Sequence, residues 1–316
     1  MKKNLSALAP SEYLDEMARK GNEAMLSALR TAHSFTSSDA SDPKELARQR
    51  RSQQTLGKLL SLPIGFDWET FEIEGIPAAW AKPEHSAGQN RMILYCHGGG
   101  YTSGTLGYAR LLASKLALAT GYPVLTFQYG LAPEQPYPRA LEDARIVWDY
   151  LMQLGWGARE VILAGDSAGG NLALELALSL REGKRLLPGR MLLFSPWTDM
   201  TCSGESYTLC RDQDPLLTED YIRSVRQAYA PQADWSDPAF SPLFADLQGL
   251  PPTLIQVGEK EILRDDSTRL QQRLLEAGVP ALAQVWPDMW HVFQMFPLKS
   301  ADRALESAAQ FLTLLG

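Results

Sequence analysis

Six short apolar runs constrain this chain more than any other feature: Met92-Ile93-Leu94-Tyr95, Val124-Leu125-Thr126-Phe127, Val161-Ile162-Leu163-Ala164, Met191-Leu192-Leu193-Phe194, Thr253-Leu254-Ile255-Gln256-Val257 and Leu282-Ala283-Gln284-Val285. A strand that is apolar at consecutive positions has no solvent face, so both its faces must be covered, as in a parallel sheet. Helical patterns at 111–119, 140–154, 171–180, 267–277 and 301–315 fall between the runs. Alternating strand and helix signals predict a doubly wound, mostly parallel α/β sheet. Two earlier strand candidates, Phe71-Glu72-Ile73 and Ala78-Ala79-Trp80, bring the expected total to eight.

One gap breaks the alternation. Between Phe194 and Thr253 there is no buried-strand signal, and a connection of that length is usually functional. The helical pattern at 221–229 places a cap over the sheet at about 200–245. The first 60 residues are polar and helical in pattern, with an amphipathic stretch from Ser11 to Leu29, a linker-like 34–42 and a second helix over 44–60. That segment reads either as a helical lid or as a packing arm. The expected organisation is a 1–60 N-terminal helical cap segment and a 61–316 catalytic domain carrying the cap insertion.

A chain of 316 residues buries about 75% of its unfolded surface and needs no disulfide or metal staple. Its net charge of −7 argues against nucleic acid or an anionic membrane as a partner. Cys96, Cys202 and Cys210 form no framework and no metal motif, which suits free thiols; a Cys202–Cys210 bridge is the alternative for an exported protein. The basic Lys2-Lys3 start has no apolar core behind it, and no stretch reaches the length of a membrane span. The expected location is cytoplasmic, without stable membrane association.

Chemistry enters at Gly165-Asp166-Ser167-Ala168-Gly169, between the run 161–164 and the helix at 171–180. A serine there sits on a strained strand-to-helix turn, its hydroxyl above the carboxyl edge of the sheet. His97-Gly98-Gly99-Gly100 follows the run 92–95. Its bare main-chain N–H groups at Gly99 and Gly100, with that of Ala168, suit a developing oxyanion. A phosphate loop would need a lysine or a following Ser/Thr in the P-loop pattern, and neither is present. Of four histidines, His33 and His85 fall in surface-like segments and His97 belongs to the glycine loop as its brace. His291, after the last strand run, is the one placed as a general base behind the nucleophile.

These motifs, together with Leu131-Ala132-Pro133-Glu134, Tyr137-Pro138, Ala140-Leu141-Glu142-Asp143 and Ser195-Pro196-Trp197, resemble the hormone-sensitive-lipase-like family of bacterial α/β-hydrolase esterases. The resemblance runs from about residue 67 to the end. It implies the α/β-hydrolase fold, a serine carboxylesterase acting through an acyl-enzyme on short- to medium-chain esters, and no metal or organic cofactor. It implies a small-molecule ester substrate and leaves a homodimer open. A lactone or amide hydrolase with the same triad is the alternative; a non-catalytic ligand-binding relative is the remote one. In the family an aspartate two residues before a leucine and Arg-Asp supplies the acid. Glu261 occupies that position, with Glu259, Asp265 and Asp266 as competitors; the last two are expected to cap a helix starting near Ser267. Gln128-Tyr129-Gly130 departs from the family's acidic residue, tyrosine and arginine, which puts local hydrogen bonding in question.

Overall fold

The sheet begins with a hairpin. β1 (Phe66–Ile73) turns at Glu74-Gly75 and pairs antiparallel with β2 (Ile76–Pro83) in unbroken register from Phe66–Pro83 to Ile73–Ile76. The computed structural model describes residues 39–314 apart from 61, 89 and 232, together with 23, 25 and 27. Most of the expected amphipathic stretch at 11–29 and of the 34–42 linker, and His33, lie outside the described residues.

The remaining strands are β3 (Met92–Cys96), β4 (Val124–Phe127), β5 (Val161–Asp166), β6 (Arg190–Phe194), β7 (Thr253–Gly258) and β8 (Ala281–Trp286). All eight form one sheet in the order β1-β2-β4-β3-β5-β6-β7-β8. β2 meets β4 antiparallel, and every pairing from β4 to β8 is parallel. The six apolar runs are these six parallel strands.

Their consecutive apolar residues serve two cores. In β5, Val161 and Leu163 pack on one face while Ile162 and Ala164 pack on the other. β3 divides the same way, with Leu94 on one side and Ile93 and Tyr95 on the other, as the two-residue period of a strand requires. α2 (Leu106–Thr120) and α8 (Lys299–Leu314) cover the second face; α3 (Arg139–Gln153), α4 (Ala168–Glu182) and α7 (Arg264–Glu276) cover the first. α1 (Pro43–Leu59) precedes the sheet. The segment between β6 and β7 contains the short α5 (Ser206–Leu209) and α6 (Glu219–Tyr229), and no strand among its described residues. Among the described residues no helix is long and apolar enough to cross a membrane. Cys96, Cys202 and Cys210 are free thiols.

The expected capping role of Asp265 and Asp266 does not hold. α7 starts at Arg264, so both aspartates lie inside its first turn, and the N-cap position, Leu263, has no side-chain bond. Tertiary partners take their carboxylates instead. Asp266 Oδ2 accepts the N–H groups of Thr198 (2.8 Å) and Asp199 (2.9 Å), and Asp265 accepts the N–H of Ser206 at 2.9 Å. Helix starts favour aspartate, but buried backbone N–H groups across the sheet edge compete more strongly for the same oxygens.

One buried group works against the fold. Glu175, on α4, is buried, and neither of its carboxyl oxygens has a hydrogen-bond partner among the described residues. Burial pushes its pKa well above the usual glutamate value, with Arg145 a weaker opposing influence. A raised folded-state pKa means stability that is present below about 4.3 and lost as pH rises toward the shifted value. Glu175→Gln has no charge to desolvate. We expect it to match the parent in urea unfolding at acidic pH and to exceed it at pH 8.

Candidate active site

Ser167 stands between β5 and α4 with φ 53° and ψ −122°, a conformation of order 1–3 kcal/mol above a relaxed one for a residue with a Cβ. Surrounding backbone holds it there. Its N–H donates to Phe194 O (2.9 Å), and its carbonyl accepts from Trp197 N (3.0 Å). Two residues on, a Cβ at Gly169 would lie 2.1 Å from Cys96 O, so only glycine lets α4 start against β3.

The glycine loop meets the same elbow. Gly99 has φ 122°, and a Cβ there would lie 2.2 Å from Ser103 O, which closes the turn. Among the described residues no protein acceptor takes the N–H of Gly99, Gly100 or Ala168. Asp166, buried beside the nucleophile, holds the loop in place. One of its oxygens accepts from Tyr95 Oη and from Gly98 N (2.7 Å); the other accepts from Tyr108 Oη (3.1 Å). Burial raises the Asp166 pKa, and these hydrogen bonds oppose the rise. Asp166 is a residue the sequence reading did not single out, although it stands inside the serine motif.

His97 braces the loop, as its position suggests. Its ring stacks on Tyr129 at 4.3 Å, and Nδ1 lies 2.8 Å from Gly98 O, the geometry of an Nδ1–H donor. Burial pushes its pKa down to about 4, which keeps it neutral. His85 is exposed.

At Gln128-Tyr129-Gly130, where the sequence departs from the family pattern, the local polar groups have partners. Tyr129 Oη donates to His97 O (2.7 Å), and Gly130 N–H donates to Asp143 Oδ2 (2.8 Å). Arg139 pairs with Asp143 at 2.7 Å. Arg50, from α1, chelates Glu134 with two 2.7 Å bonds and donates to Thr102 O (2.8 Å) and Ala132 O (3.0 Å). Arg139 and Arg50 are the cations that border this stretch.

His291 and Glu261 meet across β7 and β8. Glu261, in the turn after β7, is fully buried, and its Oε2 lies 2.8 Å from His291 Nδ1. Its Oε1 accepts from Gly258 N and from Ser195 Oγ (2.8 Å). Ser195 Oγ in turn accepts the Val292 N–H at 3.1 Å, so one hydroxyl ties the carboxylate to the residue after the histidine. Burial lowers the basicity of His291, but the bond to Glu261 and the charges of Glu261, Asp214 and Asp166 outweigh it, leaving its pKa above 6.5. Glu259 accepts from Asp288 N–H, and Asp265 and Asp266 are occupied as described above, so Glu261 alone of the four acids reaches the histidine. Ser167 and His291 stand at the same carboxyl edge of the sheet and share no hydrogen bond among the described residues.

A family model described as an alpha/beta hydrolase fold matches residues 93–295, about two thirds of the chain. The chain belongs to the α/β-hydrolase family. Within it the protein stands with the hormone-sensitive-lipase-like esterases. It is 37% identical over 86% of its length to an acetyl-hydrolase of Streptomyces hygroscopicus, covering 89% of that protein. An esterase of Acinetobacter venetianus is also 37% identical, over 78% of this hydrolase and 83% of the relative. A crystal structure of an esterase from the bacterial hormone-sensitive lipase family superposes with a TM-score of 0.86 at 33% identity, covering 95% of this hydrolase and 98% of that chain.

Ser195 gives this arrangement a direct test. Ser195→Ala removes a donor from Glu261 and an acceptor from Val292 N–H, each worth about 1 kcal/mol or more when buried. We expect kcat to fall by roughly tenfold with KM little changed, measured on a chromogenic ester.

Proposed function

We propose that this hydrolase cleaves small carboxylic esters through an acyl-enzyme on Ser167. The observation that carries the reading is the 2.8 Å contact between His291 Nδ1 and buried Glu261, at the sheet edge where Ser167 occupies its strained turn. Glu261 fixes the tautomer with Nδ1 protonated, leaving Nε2 as the base. Ser167 Oγ attacks the ester carbonyl carbon while its proton passes to Nε2, across a hydrogen bond that forms when substrate is in place. The carbonyl oxygen becomes an oxyanion facing the N–H groups of Gly99, Gly100 and Ala168. Collapse breaks the bond to the alcohol, which leaves with the proton from His291. Water then attacks the acyl-serine, giving a proton to His291; the acyl–Oγ bond breaks as His291 passes that proton to Ser167 Oγ, and the acid is released.

The cap reading belongs to the same proposal, with α1 and the segment between β6 and β7 closing over the oxyanion loop. A Cβ at Gly100 would fall 2.9 Å from Tyr221 Oη and 3.2 Å from Val225, both on α6; one at Gly99 would fall 3.0 Å from Gln53, on α1. Gln49 Nε2 donates to Tyr221 Oη at 2.7 Å and joins the two elements. That low ceiling supports a preference for short to medium acyl chains, as does the likeness to an acetyl-hydrolase. A cytoplasmic location is part of this reading.

Ser167→Ala should abolish cleavage of p-nitrophenyl butyrate while the circular dichroism spectrum stays that of the parent; a residual rate within about tenfold would place the nucleophile elsewhere. Glu261→Gln should lower kcat by about 10³–10⁴, by analogy with a neutralised triad acid. The pH profile supplies an independent check. Because His291 must be neutral to take the serine proton and its pKa is raised, kcat/KM should climb with pH along a limb centred above 6.5.

A further inference from the structure

Asp214 lies between α5 and α6 and is buried. Its Oδ1 accepts the N–H groups of Leu216 and Leu217, both at 2.9 Å, a local turn that the neutral side chain of asparagine also supports. The other oxygen reaches out of the segment. Oδ2 accepts the N–H of Ile262 at 2.9 Å, the residue directly after Glu261. Neighbouring contacts reinforce this seam. Ser206 Oγ donates to Ile262 O (2.6 Å) and accepts from Asp265 N (3.1 Å), and Cys210 Sγ donates to Glu259 O (3.6 Å). The turn that presents Glu261 is thus held from the sheet by Gly258 and Ser195, and from the inserted segment by Asp214.

The local turn does not account for the charge. Asp214 forms no ion pair with lysine or arginine among the described residues. The titratable groups facing it are His291 after β8, Glu261 after β7 and the Cys210 thiol, with Arg264 beyond Cys210. Of the two ionisable groups that act on it most, His291 and Glu261, His291 is the one that can turn positive. Burial and the Glu261 charge push the Asp214 carboxyl up to about 6, against the pull of His291 and the N–H donors.

We infer that Asp214 is a positioning residue for the acid–base pair, holding the Glu261 turn at Ile262 and supplying a further negative charge to the imidazolium that forms on His291. The inference rests on the roles proposed above for Glu261 and His291. Uncharged, the position would leave the Ile262 N–H weakly paired and His291 less basic. Each charge acts on the other, so Asp214 and His291 behave as a coupled pair.

The test is the pH dependence of kcat and kcat/KM for p-nitrophenyl butyrate, with each variant checked by thermal unfolding. Asp214→Asn should lower kcat about tenfold with KM within about twofold, and should move the acidic limb down by at least about half a pH unit, since a negative charge near the imidazole is gone. Asp214→Ser, smaller and also neutral, gives the same readout should the asparagine NH2 group oppose the Ile262 N–H and prevent folding. Asp214→Glu keeps the charge and should return the limb to the parent midpoint while kcat stays lowered. A parent midpoint in the folded neutral variants overturns the inference, as does a midpoint in Asp214→Glu no higher than theirs. Glu261→Gln, run alongside, separates the two levels: a parent rate there sinks the triad reading itself, whereas a collapsed rate beside an unmoved limb in Asp214→Asn sinks only the role of Asp214.

Discussion

The buried carboxyl of Asp166 is the contact on which the site's geometry turns. It joins the end of β5, where Ser167 begins its strained turn, to Gly98 at the root of the glycine loop, and two tyrosine hydroxyls complete its shell. Without a polar anchor there, the loop carrying Gly99 and Gly100 would lose its tie to the end of β5. Preorganised dipoles stabilise charge because their orientation is settled before the reaction. Asp166 would meet that requirement for the proposed oxyanion loop, which it ties down at Gly98, while its own charge reaches His291.

The same logic recurs on the other side of the sheet edge. Glu261 spends one oxygen on Gly258 and Ser195 and the other on His291. A carboxylate held by three donors from three different segments is restrained from rotating, and so is the imidazole bonded to it. Strand ends at the parallel edge converge by topology, so residues from β5, β7 and β8 arrive together although more than a hundred positions separate the first from the last.

How much of this was legible in the sequence follows from the range of each contact. The six parallel strands announce themselves because burial on both faces leaves few polar positions and no charged ones within the runs. Ser167 and the glycine loop are legible because their backbone geometry demands particular residues at consecutive positions. His291 follows from chain order. Glu261 needed the family likeness, since four acids stand within eight residues and only folding distinguishes them. Asp265 and Asp266 misled for the same reason: at a helix start they carry a strong local signal, and the sheet edge claimed them. Ser195, Asp214, Asp166 and Arg50 act on partners distant along the chain, and nothing in their own neighbourhoods marks what they will meet.

Arg50 has a consequence for how the chain is made. Its carboxylate partner, Glu134, is 84 residues downstream, and the carbonyls of Thr102 and Ala132 also lie after it. On a ribosome adding about 5–20 residues per second, α1 emerges roughly 4–17 s before the surface it binds has even been synthesised. A helix that waits that long in water must tolerate solvent. α1 suits the wait, with the sequence PKELARQRRSQQTLGKL and three arginines and two lysines along its length. Its docking onto the loop beside Gly99 therefore belongs to the later events of assembly, and the site acquires this support only after the body of the sheet has begun to form.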